Sequence, residues 1–279
     1  MTYMNNPRGV SKVIRSQVTS DGAGVKLRRS IGTQECSELD PFLLLDAFGT
    51  DNPDDYIAGF PAHPHRGFET VTYMIAGRMH HKDNTGAEGV LGPGSVQWMT
   101  AGRGIVHSEM PEQEEGELRG FQLWVNLPAS DKMCIPRYQN IKPADVPEIT
   151  TDRGAHLRII AGNAAGTDGP ITHISVDPLY LDVALAPGVG HSQAIEPGHA
   201  CFAYVFEGSA KISNRKIELH TLAVLEDGDS VKLSSDTGGR LILGAGRPIG
   251  EPIVRHGPFV MNTRDEIQKA IHDYQTGKF

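Results

Sequence analysis

Short stretches rich in β-branched, aromatic and other apolar residues recur along this chain, with glycine- and proline-rich turns between them. Examples are residues 69–75, 95–99 and 121–127 in the N-terminal half, and residues 179–185 and 201–206 in the C-terminal half. Such stretches predict β-strands, and many short strands at close intervals are typical of β-sandwiches and barrels. The hydrophobic pattern therefore predicts an all-β protein.

One segment near the end of the sequence has a different period. Residues 263–266 (Thr-Arg-Asp-Glu) have the spacing of a capping box, in which a threonine and a glutamate close the first turn of a helix. Apolar side chains then follow at helical spacing, at Ile267, Ala270, Ile271 and Tyr274. This pattern predicts a short amphipathic helix that stops near Gly277.

The strand-rich pattern appears twice, with a proline-rich stretch at residues 135–147 between the two copies. The segment 73–77 (Tyr-Met-Ile-Ala-Gly) is echoed by 204–208 (Tyr-Val-Phe-Glu-Gly). We therefore expect two copies of one β-barrel. The predicted division is an N-terminal metal-binding barrel over residues 1–134, a linker over 135–147, and a C-terminal barrel without metal ligands, ending in the helix, over 148–279.

Two pairs of side chains in the N-terminal half could bind a metal. His63 and His65 are separated by one residue, and so are His107 and Glu109. On a β-strand, side chains at i and i+2 project from the same face. If the two strands face each other, three imidazoles and one carboxylate converge, a set that suits a first-row metal such as Fe, Mn, Cu or Ni.

The repeat allows the second half to be inspected for the same ligands. An offset of about 131–135 residues places His63 and His65 opposite Ala194 and Glu196, and the second pair opposite Leu241 and Leu243. None of these four residues forms a comparable ligand set. We therefore expect one metal ion per chain.

Composition narrows the function classes. The 279 residues carry a net charge of −8 and contain no long run of lysine or arginine, so nucleic acid is not expected as a direct ligand. No apolar run reaches the length of a membrane span, and the first eight residues lack a signal-peptide core. The three cysteines form no Cys-x-x-Cys motif. These features predict a cytoplasmic protein, or also a nuclear one if the source is eukaryotic.

The N-terminal motifs resemble those of the pirin family of the cupin superfamily. They are His-Pro-His-Arg-Gly-Phe-Glu-Thr-Val-Thr-Tyr at 63–73 and Thr-Ala-Gly-Arg-Gly-Ile-Val-His-Ser-Glu at 100–109. The resemblance implies a bicupin, with two antiparallel jelly-roll β-barrels face to face. It also implies one Fe(II) per chain, with Mn, Cu, Ni, Co or Zn as substitutes, bound in the N-terminal barrel by His63, His65, His107 and Glu109.

Glu69 is the alternative carboxylate ligand. It follows His65 by four residues, the spacing at which many other cupins place their carboxylate. On a regular strand it would face the same interior as His63 and His65. A role beside the ligands, orienting a histidine, or a purely structural role is also compatible with this position.

The resemblance implies quercetin 2,3-dioxygenase activity, in which O2 opens a flavonol ring and carbon monoxide leaves. Glu109 would then accept the proton of the flavonol hydroxyl. Residues that could line the pocket for the aromatic substrate, or simply belong to the core, are Phe60, Trp98, Met99 and Met110. The alternative is a non-catalytic, redox-sensing iron protein that regulates transcription or a metabolic enzyme through a protein partner. A monomer is slightly favoured, because a two-barrel chain already covers surface that single-barrel cupins bury by dimerising.

Overall fold

The computed structural model describes residues 6–279, which form antiparallel strands and one α-helix. The helix, α1, is Arg264–Gln275, and short 3-10 helices lie at Pro53–Asp55 and Pro143–Asp145. The strands, in chain order, are β1 (Val10–Arg15), β2 (Gln17–Asp21), β3 (Val25–Ile31), β4 (Phe42–Thr50), β5 (Phe60–His65), β6 (Phe68–Ala76), β7 (Met79–Asp83), β8 (Glu88–Leu91), β9 (Val96–Thr100), β10 (Ile105–Pro111), β11 (Leu118–Asn126), β12 (Arg137–Ile141), β13 (Glu148–Thr150), β14 (His156–Ala161), β15 (Asn163–Ala164), β16 (Thr167–Asp168), β17 (Leu179–Leu185), β18 (Gly190–Ala194), β19 (Ala200–Gly208), β20 (Ala210–Ile212), β21 (Arg215–Ile217), β22 (Thr221–Leu225), β23 (Ser230–Ser234), β24 (Gly239–Gly246), β25 (Val254–His256) and β26 (Phe259–Met261). The all-β prediction is confirmed.

The contacts divide the chain into two compact units. Unit I comprises residues 18–32, 40–143 and 249–279, and unit II comprises residues 6–17, 33–39 and 144–248. Each unit has a seven-stranded and a four-stranded antiparallel sheet. In unit I the orders are β12-β9-β6-β11-β4-β3-β2 and β5-β10-β7-β8; in unit II they are β1-β22-β19-β24-β17-β14-β13 and β18-β23-β20-β21. Apart from the edge strands β12 and β1, the two units match strand for strand in chain order, which confirms the internal repeat.

The sequence-based division assigned residues up to 134 to the first barrel and residues from 148 to the second. The segments at the two ends of the described chain belong to the other unit in each case. Strand β1 pairs with β22 and so belongs to unit II, although it precedes every other strand. Helix α1 packs against β25 and β26 in unit I, although it was expected to end the C-terminal barrel. Hydrogen bonding and apolar packing decide the membership of these segments, and neither is visible in their order along the chain.

The stretch predicted as a linker also contributes to a sheet. Residues 137–141 form β12, which pairs with β9 along the edge of the seven-stranded sheet of unit I. The prolines on either side of β12 suggested a connection without regular structure. An edge strand tolerates such flanks because only one of its sides pairs with a neighbour.

The predicted helix is confirmed at both ends. Thr263 accepts a hydrogen bond from the backbone of Glu266, and the Glu266 side chain accepts one from the backbone of Thr263, which completes the capping box. Ile267 and Ala270 are buried on its inner face. Gly277 has φ +69°, in the left-handed region that terminates helices. No helix in residues 6–279 has the length and hydrophobicity that crossing a bilayer requires.

The interiors of the two units differ. Unit II is filled by one continuous cluster of aliphatic side chains that includes Leu181, Ala203 and Leu243. In unit I, apolar clusters around Phe48 and around Phe68 lie beside a cavity whose lining includes both polar and apolar side chains.

A tight turn at Arg66 and Gly67 joins β5 to β6. Gly67 has φ +87°, and a Cβ atom there would lie 2.0 Å from the carbonyl oxygen of Val260. The buried amine of Lys132 donates to the carbonyls of Gly67 (2.7 Å) and Val260 (3.0 Å). Only glycine fits this turn, because both the backbone angle and the available space exclude a side chain.

Replacing Gly67 with alanine should therefore destabilise the protein far more than the same change at Gly86. Gly86 also has a positive φ, +92°, but a Cβ atom there would have no other atom within 4 Å. We expect Gly86→Ala to lower the free energy of unfolding by about 1 kcal/mol from backbone strain. Gly67→Ala should lower it by at least about 2 kcal/mol more. Urea denaturation measures both, and equal losses would contradict the close packing at Gly67.

Candidate metal centre

Strands β5 and β10 pair antiparallel and bring the predicted histidines together. Their register sets His107 opposite His63 and Ile105 opposite His65. Directly opposed residues on antiparallel strands project from the same face. The ligand atoms of the three histidines lie within 4.8 Å of one another, and the Nε2 atoms of His63 and His65 are 3.1 Å apart. This cluster agrees with the sequence-based prediction for all three imidazoles.

Neighbouring groups determine which ring nitrogens face the centre of the cluster. His63 Nδ1 lies 2.8 Å from the carbonyl oxygen of Pro61, so Nδ1 carries the proton and Nε2 keeps its lone pair. His107 Nδ1 lies 3.4 Å from Nδ1 of His81, whereas its buried Nε2 has no hydrogen-bond partner among residues 6–279. Backbone or side-chain acceptors on the outer ring nitrogen orient metal-binding histidines in this way.

The electrostatics favour the uncharged form of His65 and His107. Burial lowers the pKa of His65 and His107 well below the usual histidine value, and the neighbouring imidazoles lower it further. A metal binds the neutral ring through its lone pair. Buried nitrogen lone pairs that face one another without a proton donor are costly, and a divalent cation would satisfy them. The residues present therefore fit a first-row metal ion.

Glu109 lies on the same cavity as His63 and His65, but its carboxylate is outside the group of three close nitrogen ligands. A register shift between His107 and Glu109 places Glu109 opposite Phe60. Its Oε1 accepts a hydrogen bond from the Thr72 hydroxyl at 3.0 Å. Burial raises the pKa of the Glu109 carboxyl, and the adjacent His63 and Thr72 only partly offset this. A bound cation would favour the ionised form.

The structure does not bring Glu69 to the histidines. Glu69 lies opposite Thr100 on β9, and alternation along β6 sets it on the other face of the sheet from Thr72, which contacts Glu109. Its Oε1 accepts from the Thr100 hydroxyl at 2.6 Å. Glu69 was expected to project from the same face as His65, but the turn at Gly67 interrupts the strand between them, so the alternation does not continue from one to the other.

Two residues of this site were not predicted. His81 on β7 lies opposite Glu109 and is buried beside His107, with ring centroids 5.3 Å apart. Thr72 on β6 holds the Glu109 carboxylate. The alternation of side chains along β6 and β7 predicts the face to which each side chain projects. The sequence does not show, however, that β10 pairs with β7 on one side as well as with β5 on the other.

A cavity of about 630 Å³ opens onto the three-histidine cluster. This volume falls in the range of small-molecule sites. Its apolar wall consists of Leu27, Phe48, Phe60, Met79 and Trp124. Of the side chains considered as pocket residues, Phe60 lines the cavity, whereas Met99 lies in a buried cluster with Ala101 and Ile105. Trp98 lies opposite Val71, on the face of the sheet that carries Glu69, and Met110 is half-buried outside the lining.

The structure corrects the residue equivalence drawn from the repeat. The counterpart of β10 is β23, not β24, so Leu241 and Leu243 are not the equivalents of His107 and Glu109. In unit II, His191 lies opposite Leu233, as His63 lies opposite His107. The counterpart of His65 is Gln193, whose Oε1 is 3.3 Å from His191 Nε2. The faint similarity had matched the turn before β9 with the turn before β23, one strand too far along.

The chain matches two family descriptions, one in each half. The family described as "Pirin" matches residues 24–125, and "Pirin C-terminal cupin domain" matches residues 180–279. The chain belongs to the pirin family. A pirin-like protein of Caulobacter vibrioides is 50% identical over 98% of this chain and 99% of its own length. The pirin of Homo sapiens is 45% identical over 99% of this chain and 95% of its own.

A solved structure agrees with the whole pirin architecture. The crystal structure of a protein named quercetin 2,3-dioxygenase from Acinetobacter baumannii has a TM-score of 0.91 and 35% identity, covering 98% of each chain. The two cupin domains expected from the sequence are thus confirmed for this member of the pirin family.

Metal binding should depend on Glu109 and not on Glu69. In Glu109→Gln we expect the affinity of the metal-free protein for Ni(II) or Fe(II) to fall by at least about tenfold, because a carboxylate on the cavity is lost. Glu69→Gln is the matched control, since the same change falls on the opposite face of the sheet. Anaerobic calorimetric titration gives affinity and stoichiometry. Weakened binding in Glu69→Gln with normal binding in Glu109→Gln would reverse the assignment.

Glu69 should also give the protein a distinct pH dependence. Burial raises the pKa of Glu69 to about 7, above the usual glutamate value of 4.5. The folded state then holds the proton more tightly, so the stability present at low pH is lost as pH rises through 7. Between pH 5 and 8, wild type should lose up to about 3 kcal/mol more unfolding free energy than Glu69→Gln. Parallel urea-denaturation profiles across this range would contradict the raised pKa.

Proposed function

We propose that this chain is a metal-dependent dioxygenase that opens the heterocycle of a flavonol with O2 and releases carbon monoxide. The observation that carries the proposal is the cluster of three imidazoles, two buried and one half-buried, with Glu109 beside it, at a cavity with an aromatic wall. The likeness to the structure of a protein named quercetin 2,3-dioxygenase, across nearly the full length of both chains, supports the same activity.

In this proposal His63, His65, His107 and Glu109 hold one Fe(II), for which Mn, Cu, Ni, Co or Zn could substitute. Bound iron would supply an electrophilic and redox-active centre for the reaction with O2. Three imidazoles and one carboxylate leave room in the coordination sphere of a five- or six-coordinate ion. Phe60 and Trp124 belong to the apolar wall of the same cavity, where an aromatic substrate would contact them.

Glu109 is the proposed proton acceptor for the flavonol 3-hydroxyl. A carboxylate on the cavity wall lies within reach of a bound ligand, and its burial favours taking up a proton. Once neutral, Glu109 can donate a hydrogen bond to the Thr72 oxygen. The Thr72 hydroxyl then turns to the Gln122 Oε1, which is 2.7 Å away. These contacts hold the proton at Glu109 while the ring opens.

The decisive assay follows quercetin absorbance during aerobic incubation with metal-loaded protein, with carbon monoxide measured in the headspace. We expect turnover that His63→Ala reduces at least about 100-fold, since one of three imidazoles is lost. His256→Ala is the control, because His256 is exposed and does not line the cavity. No loss of absorbance with Fe, Mn, Cu, Ni or Co would contradict the proposed activity.

The alternative, a redox-sensing iron protein that acts through a protein partner, uses the same three histidines and stays a prediction. So do the monomeric state and the cytoplasmic or nuclear location. A protein that binds one metal ion but turns over no flavonol would favour this alternative. Native mass spectrometry of the metal-loaded chain would test the monomer.

A further inference from the structure

A row of polar side chains crosses the inner face of the seven-stranded sheet of unit I. Each member lies directly opposite the next on the neighbouring strand, so all project from one face. The row runs from β3 to β12 through Arg29, Asp46, Gln122, Thr72, Gln97 and Asn140.

Hydrogen bonds join the members of the row in pairs. Arg29 holds Asp46 with two bonds, Nε to Oδ1 at 2.8 Å and Nη2 to Oδ2 at 2.7 Å. Thr72 Oγ1 lies 2.7 Å from Gln122 Oε1, and Gln97 donates to Asn140 at 3.0 Å. The Thr72 hydroxyl, which has one hydrogen, also lies 3.0 Å from the Glu109 Oε1. The pair formed by Thr72 and Gln122 is therefore the part of the row that is next to the Glu109 carboxyl.

Unit II shows that the fold does not require this row. Tyr73 corresponds to Tyr204, so Thr72 corresponds to Ala203. The other equivalent residues follow from the strand pairing, because each residue of the row has a directly opposed partner on the next strand in both units. The matching residues of unit II lie opposite one another in the same way and are all fully buried aliphatic side chains, namely Ile159, Leu181, Leu243, Ala203 and Ala223. Burying polar groups costs free energy that these aliphatic side chains avoid. The polar row therefore needs a reason other than folding.

Part of the row faces the cavity. Arg29, Asp46 and Gln122 line it together with His63 and Glu109. The Gln122 Oε1 accepts from Thr72, whereas no acceptor among residues 6–279 takes a hydrogen bond from its Nε2. Each Asp46 oxygen accepts one N–H of Arg29 and retains a lone pair. The wall thus offers a donor and an acceptor at adjacent register positions.

We propose that Gln122 and Asp46 select the substrate by binding a second hydroxyl group of a planar, polyhydroxylated aromatic ligand. Gln122 Nε2 donates to the hydroxyl oxygen, and the Asp46 carboxylate accepts its hydrogen. Arg29 fixes Asp46 before the ligand enters, and the Thr72 hydroxyl lies 2.7 Å from the Gln122 Oε1, within hydrogen-bonding distance of that amide. This inference rests on the proposed function and specifies its substrate class: flavonols with a hydroxyl beyond the reacting one.

The test compares two ligands and two variants by anaerobic equilibrium binding to metal-loaded protein. Quercetin carries several hydroxyls, whereas 3-hydroxyflavone keeps only the reacting one. Wild type should bind quercetin roughly fivefold more tightly, the effect of one additional hydrogen bond. In Gln122→Leu, which places in unit I the residue that unit II has at this position, that preference should disappear. A preserved preference, or an equal loss of affinity for both ligands, would overturn the proposal.

Gln139→Leu is the matched control. Gln139 belongs to the same sheet but lies opposite Trp98, on the face away from the row, so the preference for quercetin should persist. Circular dichroism and Ni(II) titration confirm that each variant is folded and binds metal. If wild type binds quercetin more tightly than 3-hydroxyflavone but turns over neither flavonol, the proposed activity is overturned, whereas the proposed role of Gln122 and Asp46 in binding is supported. Failure of wild type to bind either flavonol would overturn the ligand class itself.

Discussion

Three imidazole rings packed against one another, two buried and one half-buried, constrain the rest of the site in unit I. His63, His65 and His107 meet because β5 and β10 pair in one register, and a shift by a single residue would turn the side chains to the other face. Burial lowers the pKa of His65 and His107, and the Pro61 carbonyl orients the ring of His63. The buried Nε2 of His107 has no hydrogen-bond partner among residues 6–279. Such a cluster is unfavourable on its own and becomes favourable with a cation. The register that pairs β5 with β10 therefore also determines whether a metal can bind.

The two units show how one topology serves two interiors. Their principal sheets have matching strand orders, yet the positions that are polar in unit I are aliphatic in unit II. Unit II is a continuous apolar core, whereas unit I exchanges part of that core for a cavity, an ion pair and a hydrogen-bonded row. The site depends on the polarity of individual inward positions and not on the strand order.

The local patterns in the sequence were sufficient for the parts of the molecule that local geometry determines. Alternation placed His63 with His65 and His107 with Glu109, and the Thr263 capping box fixed the start of the helix. The prediction that Glu69 faces the same side as His65 was wrong because the turn at Gly67 interrupts the strand. The predicted equivalents of His107 and Glu109 lay one strand too far along because the similarity between the two turns is faint. The placement of β1 and α1, and the contact of His81 with His107, depend on pairing between distant segments, which no local pattern encodes.

The central claim is that one metal ion binds between β5 and β10 in unit I. Crystals soaked with Fe(II) under anaerobic conditions, with diffraction recorded on both sides of the iron absorption edge, test it most directly. We expect a single anomalous peak per chain, bonded to the Nε2 atoms of His63, His65 and His107 and to a carboxylate oxygen of Glu109. A peak bound by other residues, or a second peak of equal height in unit II beside His191, would contradict the account.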